Sequence, residues 1–540
     1  MAKTVAVIGA GPAGLVAIKS CLEVGLEPTA FETDPWLGGA WKYTDLADEK
    51  HRRSCVAYST VTNTSKHVSC FSDFPMPNEW PNYLPQQNYL EYFQMYAKEF
   101  GLEERIRFEA NVLSVEPTSD SKTDQNARWR VRYQDLKQNC DQVETFDFVM
   151  VCSGVNNEPR IDIPGLDGFC GDVIHSKEYR TWKNFEGKRV IVVGMGNSAG
   201  DIACELSHHT EQVYLSTRSG GWVVSRLLGG DSPGDTKFLT RLVDSIPSTI
   251  RGQVFHHKLK KGVNLVNFGL EAAHPPDKRF PLINDELPHR IITGSIKVKA
   301  EIAKTKEKTV MFGDGSKVED IDVIILATGF KFGFPFLCDS LLCPKDRYIP
   351  LYRYVFPPFC NPGTIAIIAA VRVNGPIPPI AEIQSRWAVS VFAGKTKLPD
   401  CQMMVEEIER RQQLLEASTI ECCRAFHMVN FIRYSDEISS LIGARPNLWH
   451  LLMTDPVLAF RCFFGPCIPA QYRLVGRGAW PEARDIIMGV RESKLCPLRT
   501  RKTGPKEGQD RNSSLSWLFC LVTVLILFLL ILSTSKYLMQ

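Results

Sequence analysis

At 540 residues the chain is long enough for a large core and roughly two to four domains. Hydrophobic residues make up 44% and charged residues 23%, which excludes a disordered chain, and the formal charge of +3 excludes a nucleic-acid footprint. The 17 cysteines are scattered without C-x2-C metal-ligand spacing and read as reduced, mostly buried thiols of a cytosol-facing protein.

Met1 to Lys3 lead straight into Thr4–Ile8, an apolar run that predicts a buried strand rather than a signal peptide. Gly9-Ala10-Gly11-Pro12-Ala13-Gly14 follows, and then the apolar-periodic segment Leu15 to Leu22, a predicted helix. In that setting Gly9 makes the tight turn, Gly11 lets the backbone approach a pyrophosphate, and Gly14 lets the helix pack close to the sheet. The helix N-terminus adds partial positive charge for the phosphates. A second strand, Pro28–Phe31, ends at Glu32, 18 residues past Gly14. A carboxylate there can accept both ribose hydroxyls of an adenosine.

The pattern recurs. The strand Arg189–Val193 runs into Gly194-Met195-Gly196-Asn197-Ser198-Ala199 and a helix predicted from Gly200 to Leu206, with Asp201 at its start. Ala199 in the third glycine position is allowed by the fingerprint. After the strand Gln212–Leu215 come Ser216, Thr217 and Arg218. Glu32 lies 23 residues after Gly9, and the same step from Gly194 reaches Thr217. A hydroxyl and a guanidinium in place of a carboxylate suit a 2′-phosphate, so NADP(H) is predicted over NAD(H). The bland reading of Arg218 is a solvated surface arginine.

A third apolar strand, Val323–Leu326, ends in Ala327-Thr328-Gly329-Phe330, where a chain leaving an inserted domain would rejoin the first. One fold for FAD and one for NADPH is the layout of a flavoprotein that takes hydride from NADPH. The predicted architecture is α/β, with two doubly wound, Rossmann-like dinucleotide domains. Residues 1–155 and 330–445 form the FAD domain, and 156–329 the NADPH domain with an insertion at 222–295. Cys338 and Cys343 have the C-x4-C spacing of some flavin disulfide reductases but lie far from the N-terminal motif, so no redox role is assigned. A helical region (446–499) and a linker (500–514) lead to Leu515–Leu532, an 18-residue stretch without a charge. That length nearly spans a hydrocarbon core of ~30 Å and predicts a transmembrane tail anchor. Arg491, Lys494, Arg499, Arg501, Lys502, Lys506 and Arg511 precede it and only Lys536 follows, which keeps the body cytosolic.

Several further segments carry a resemblance. Gly38-Gly39-Ala40-Trp41, Val61-Thr62-Asn63-Thr64-Ser65-Lys66, Phe71 to Pro77 and Pro81 to Pro85 follow the first fold. Phe169-x-Gly171-x3-His175-x3-Tyr179 lies between the two glycine motifs, and Gln384-Ser385-Arg386-Trp387 and Phe464-Gly465-Pro466-Cys467 lie beyond them. On these residues essentially the whole chain resembles the microsomal flavin-containing monooxygenases of animals, the dimethylaniline N-oxide-forming type. The fingerprint around His175 is shared with Baeyer–Villiger monooxygenases.

The resemblance implies FAD, NADPH and O2, and oxygenation of small soft nucleophiles, amines and thioethers, through a C4a-(hydro)peroxyflavin. It implies a tail-anchored protein of the endoplasmic reticulum membrane with its catalytic body in the cytosol. Neither a Ser/His/Asp constellation nor a metal is expected, because the cofactor carries the hard chemistry. Asn63 matches the family asparagine at the flavin–nicotinamide junction. An amide offers donor and acceptor without transferring a proton; its alternative is a turn-former. Thr62, Thr64, Ala40, Thr328 and Gly329 are expected near the flavin. Trp41 reads equally as a flavin contact or a core aromatic. His175 is read as settling one domain on the other rather than as a general acid. Asp201 is read as a helix cap or a contact to the nicotinamide half.

Arg372 departs from the family's glutamine and brings a guanidinium to the flavin or the substrate channel. The rival activities are Baeyer–Villiger oxidation of ketones, an uncoupled NADPH oxidase releasing hydrogen peroxide, and a silent nucleotide-binding protein. The oligomeric state, a homo-oligomer included, stays open.

Overall fold

The computed structural model describes residues 2–45, 56–118, 128–155, 158–228, 232–262, 264–272, 274–275, 279–342, 349–358, 363–418 and 428–501. Cys343, most of the predicted linker and the whole of the predicted anchor lie outside them. Among the described residues, no helix is long and apolar enough to cross a membrane.

Two five-stranded parallel sheets organise the chain. In the first the order is Ile365–Ile367, Phe148–Val151, Thr4–Ile8, Glu27–Phe31, Ile106–Arg107. Its central strand reads as an unbroken apolar run because both faces are covered. Alternate residues go to opposite cores. Val5 and Val7 pack under the helix Pro12–Glu23, while Ala6 and Ile8 meet an antiparallel ribbon carrying Trp129, Val131 and Phe146. That helix packs in turn against Pro378–Phe392.

The second sheet repeats the plan with the order Ile296–Lys299, Gln212–Ser216, Arg189–Val193, Val323–Leu326, Asp172–His175. The helix Asn197–Leu206 covers Val190, Val192 and Val213, and a three-stranded ribbon from Ile302 to Val318 covers Ile191 and Ile324. This helix starts three residues before the predicted Gly200, because Gly196 is already its extended N-cap. Val323–Leu326 belongs wholly to this second sheet. The return comes just after it, where Phe330–Lys331 pairs antiparallel with Glu158–Pro159, so the outgoing and incoming chains run side by side. Ile365–Ile367 then completes the first sheet.

The C-terminal helices Leu448–Thr454, Pro456–Phe464 and Ala483–Leu495 bury Leu451, Leu458, Cys462 and Ile487 around Val68. A charged centre ties this region to the first fold. Arg473, 2% exposed, pairs with Asp73 at 2.6 Å and Glu382 at 2.9 Å and donates from Nε to Ser72 Oγ. Asp73 also pairs with Lys19 on the first helix.

Candidate functional site

The first glycine loop is shaped by what surrounds it. Gly9 has φ +103°, and a Cβ there would lie 2.8 Å from the carbonyl oxygen of Cys152. A Cβ on Gly14 would lie 2.0 Å from the carbonyl oxygen of Gly9. The loop and the first helical turn are therefore in direct backbone contact. Gly11 is different, since its Cβ would meet only Gly39, the Cα at 3.6 Å and the N at 3.9 Å. Gly11, Pro12 and Ala13 border a cavity of about 1700 Å³. The N-cap Gly11 offers no side-chain cap and Pro12 occupies the first helical turn, so the remaining amides are left for an anion. Glu32 closes the loop from the end of its strand, accepting from the Ala10 amide at 2.7 Å and the Asp34 amide at 3.0 Å.

The second loop opens on the same cavity. Gly194 has φ +136°, and its Cβ would lie 2.5 Å from the carbonyl oxygen of Ala327. Gly196, Asn197 and Ser198 border the cavity, and the helix they start also lacks a side-chain cap. Ala199 is fully buried, so its methyl is accommodated.

Between the loops lies the segment from Thr62 to Ser65. Thr62 is held to Leu84 twice, its amide donating to the Leu84 carbonyl and its Oγ1 accepting from the Leu84 amide. Thr64 Oγ1 shares a 2.7 Å hydrogen bond with Ser69 Oγ. Asn63, half-buried, faces the cavity, and its Oδ1 accepts from Arg226 at 3.0 Å. Ala40 and Trp41 complete this wall, with Gly38 donating to the Ala10 carbonyl.

The residues fit two dinucleotides. Each loop has a glycine whose Cβ would strike backbone, and each opens an uncapped helix toward one space. The chain matches the flavin-binding monooxygenase-like family over residues 2–534. It is 41% identical to flavin-containing monooxygenase 1 of Homo sapiens, covering 98% of this chain and 100% of that protein. Against flavin-containing monooxygenase 5 of Rattus norvegicus the identity is 40%, covering 98% and 97%. It belongs to the flavin-containing monooxygenases.

The enzyme is therefore an FAD-dependent NADPH monooxygenase. Solved structures share its fold. An S-allyl-L-cysteine S-oxygenase from Allium sativum superposes with a TM-score of 0.62 at 23% identity, covering 91% of this chain and 98% of that one. A cyclohexanone-bound cyclohexanone monooxygenase gives 0.59 at 16% identity, covering 82% and 98%.

The other expected residues of this monooxygenase sort by position. Thr328 and Gly329 border the cavity, and Thr328 Oγ1 donates to the Arg160 carbonyl. His175 does not reach the cavity wall. Its Nδ1 accepts from the Lys177 amide at 3.1 Å, so the proton sits on Nε2, which donates to the Gly329 carbonyl at 3.1 Å. Burial lowers its pKa, and it is held as a neutral donor. This bond ties the end of the strand Asp172–His175 to the returning crossover. Phe169 packs in the core behind that sheet, and a Cβ on Gly171 would strike the Asp322 carbonyl at 2.5 Å. Tyr179 donates to Glu205 at 2.8 Å inside the second core. Trp41 borders the cavity and meets the Tyr89 ring edge-on at 4.5 Å.

Two expectations are corrected. Asp201 neither caps its helix nor borders the cavity. It sits in the second turn and accepts from Asn284 at 3.1 Å, and burial raises its pKa to about 6. Gly200 beside it faces the Leu282 side chain rather than the cavity. Thr217 and Arg218 end their strand outside the cavity wall, and Arg218 is exposed. Arg279 borders the cavity instead and donates to Ser219 Oγ at 3.1 Å. Arg372 lines the cavity from the short strand Arg372–Asn374, which pairs in parallel with Met428–Asn430.

Sequence reasoning missed Arg226. Its guanidinium donates to the Thr62 carbonyl at 3.1 Å as well as to Asn63, and pairs with Asp285 at 2.9 Å. It stands in the predicted insertion, 163 residues from Asn63, and no local motif marks it.

Proposed function

We propose that this enzyme N- and S-oxygenates small soft nucleophiles, amines and thioethers, in the cavity beside Asn63. The observation that carries the reading is one continuous cavity that joins both glycine loops and passes Asn63. Gly9, Gly11, Gly14 and Glu32 would hold FAD, and Gly194, Gly196, Asn197, Ser198 and Arg279 would hold NADPH. Sheet order supports the division into residues 1–155 with 330–445 for FAD and 156–329 for NADPH. Bound FAD, reduced by NADPH, supplies the oxygen-activating centre.

The chain's part is to orient and to exclude water. Arg226 has only donors, so the amide atom facing it is Oδ1, and the Asn63 NH2 group turns away from the guanidinium. A fixed neutral donor can stabilise negative charge developing on oxygen without a proton transfer. The insertion that brings Arg226 also covers this part of the cavity with Leu228, Phe238 and Phe255, which favours a water-poor site.

The test is a balance of NADPH consumed against product and hydrogen peroxide, with a tertiary amine, a thioether and a cyclic ketone offered separately. N-oxide and sulfoxide are expected. A lactone from the ketone alone would replace this reading with Baeyer–Villiger oxidation, and peroxide alone would replace it with an oxidase. In the same assay Arg226→Ala is expected to lower product per NADPH about tenfold, the weight of one charge-assisted hydrogen bond, with peroxide making up the difference and flavin retained. Unchanged coupling in that variant would remove Arg226 from the machinery.

The second proposal concerns location. The uncharged tail 515–532 with its basic flank supports tail-anchoring in the endoplasmic reticulum membrane, the body facing the cytosol. The full chain is then expected to resist alkaline carbonate extraction from microsomes, and a chain ending at residue 501 to be released. Full-length protein in the carbonate supernatant would contradict the anchor.

A further inference from the structure

A second residue of the insertion grips the Asn63 segment. Asp235 opens the short helix Asp235–Phe238, borders the cavity, and accepts from the Ser65 amide through Oδ2. Its other oxygen, Oδ1, and the Ser65 hydroxyl are both out of solvent contact and have no hydrogen-bond partner among the described residues. A carboxyl with one oxygen committed to the segment and the other unpaired beside a cavity is a placement that packing alone does not require. Tyr83 and Arg226 stand close by, with the Tyr83 hydroxyl donating to the Arg226 carbonyl.

We propose that Asp235 is a positioning residue of the monooxygenase. Its bond to Ser65 fixes the backbone that carries Asn63, and its ionisation sets how much oxygen chemistry is coupled to product. The inference rests on the function proposed above.

The groups that face Asp235 are Ser65 and the Thr236 amide, Tyr83, Arg226 and Asp285, Lys494 on the C-terminal helix, and Lys66 and His67 on the helix packed against its own. Burial pushes the carboxyl up to about 6, against the pull of the Ser65 amide bond and of Lys494. Burial holds His67 near 4, so it stays neutral around pH 6, and Lys66, lowered to about 8 by burial, is charged around pH 6 and loses its proton only toward pH 8. Above pH 6 the carboxylate holds the Ser65 N–H by a charge-assisted bond; below it the neutral acid holds it more weakly.

Two readouts test this on the flavin-loaded full chain between pH 5 and 8. The first is hydrogen peroxide released per NADPH. The second is hydrogen–deuterium exchange of the segment 61–69, corrected for its intrinsic pH dependence. In the unmodified enzyme, peroxide per NADPH and exchange of the segment are both expected to rise as pH falls through about 6. Asp235→Asn keeps the shape and an acceptor but not the charge. It is expected to show the low-pH behaviour throughout, with about tenfold faster exchange at pH 8. Asp235→Glu should restore an inflection. An inflection near pH 6 that survives in Asp235→Asn overturns the proposal. Absence of product from every amine and thioether at every pH would instead overturn the substrate class, while the exchange data still decide the role of Asp235.

Discussion

Alanine at Gly14 is expected to give a protein that purifies without its yellow colour. The added Cβ would stand 2.0 Å from the Gly9 carbonyl oxygen and 2.9 Å from its carbon, both backbone atoms that no rotamer change can move. The helix must tilt off the loop, and the turn that aims amides at the pyrophosphate is lost with it. The flavin-to-protein absorbance ratio should fall at least about tenfold, which corresponds to ~1.4 kcal/mol or more of binding. Gly11→Ala is the informative comparison, because its Cβ meets Gly39 at an ordinary 3.6 Å. That variant should fold with unchanged thermal stability yet bind FAD more weakly, through crowding of the ligand alone. Full flavin content in Gly14→Ala would mean that the loop adapts, contrary to the close packing argued above.

Arg473→Met is expected to produce the largest loss of stability. The guanidinium is 2% exposed and faces Asp73 and Glu382, whose side chains are 10% and 3% exposed. Removing it leaves Glu382 buried without an ion partner among the described residues and Asp73 with Lys19 alone. Breaking a buried pair in this way costs about 3–5 kcal/mol. The denaturant midpoint reads the loss directly. Met at both Arg473 and Glu382 should recover part of it, since an apolar pair is better tolerated than one orphaned charge. The cluster joins the loop at Asp73, the helix Pro378–Phe392 and the C-terminal segment, so its loss should loosen the C-terminal helices first. Equal protease sensitivity of the C-terminal helices in Arg473→Met and the unmodified chain would contradict that order.

The sequence determined the parts that depend on local spacing. Gly9, Gly11 and Gly14 after an apolar strand, with Glu32 at the end of the next, are read within one strand–helix–strand unit, and the structure sets Gly9, Gly11 and Glu32 on the cavity and Gly14 in the first helical turn against the Gly9 carbonyl. Gly196 likewise borders the cavity, and at Gly194 and Gly171 a missing Cβ reports a backbone contact in the fold. These features follow from the periods of helix and strand and the absence of a side chain. The family resemblance added Asn63, but not what holds it.

Tertiary structure alone decided the rest. Arg226 and Asp235 reach the Asn63 segment from 163 and 170 residues away, and Arg473 reaches Ser72 across 401. No periodicity links such positions. Their pairing follows from how the second sheet and its insertion settle on the first. The ribose-phosphate slot shows the same limit. Sequence spacing pointed to Thr217 and Arg218 just past the strand Gln212–Ser216, yet they stand off the cavity wall, and Arg279, brought in by the insertion, borders it. Asp201 lay next to the motif in sequence, but it stands one helical turn further along, off the cavity, where it accepts from Asn284. A side chain's direction is fixed by helix phase and packing, whereas sequence spacing fixes only its distance along the chain.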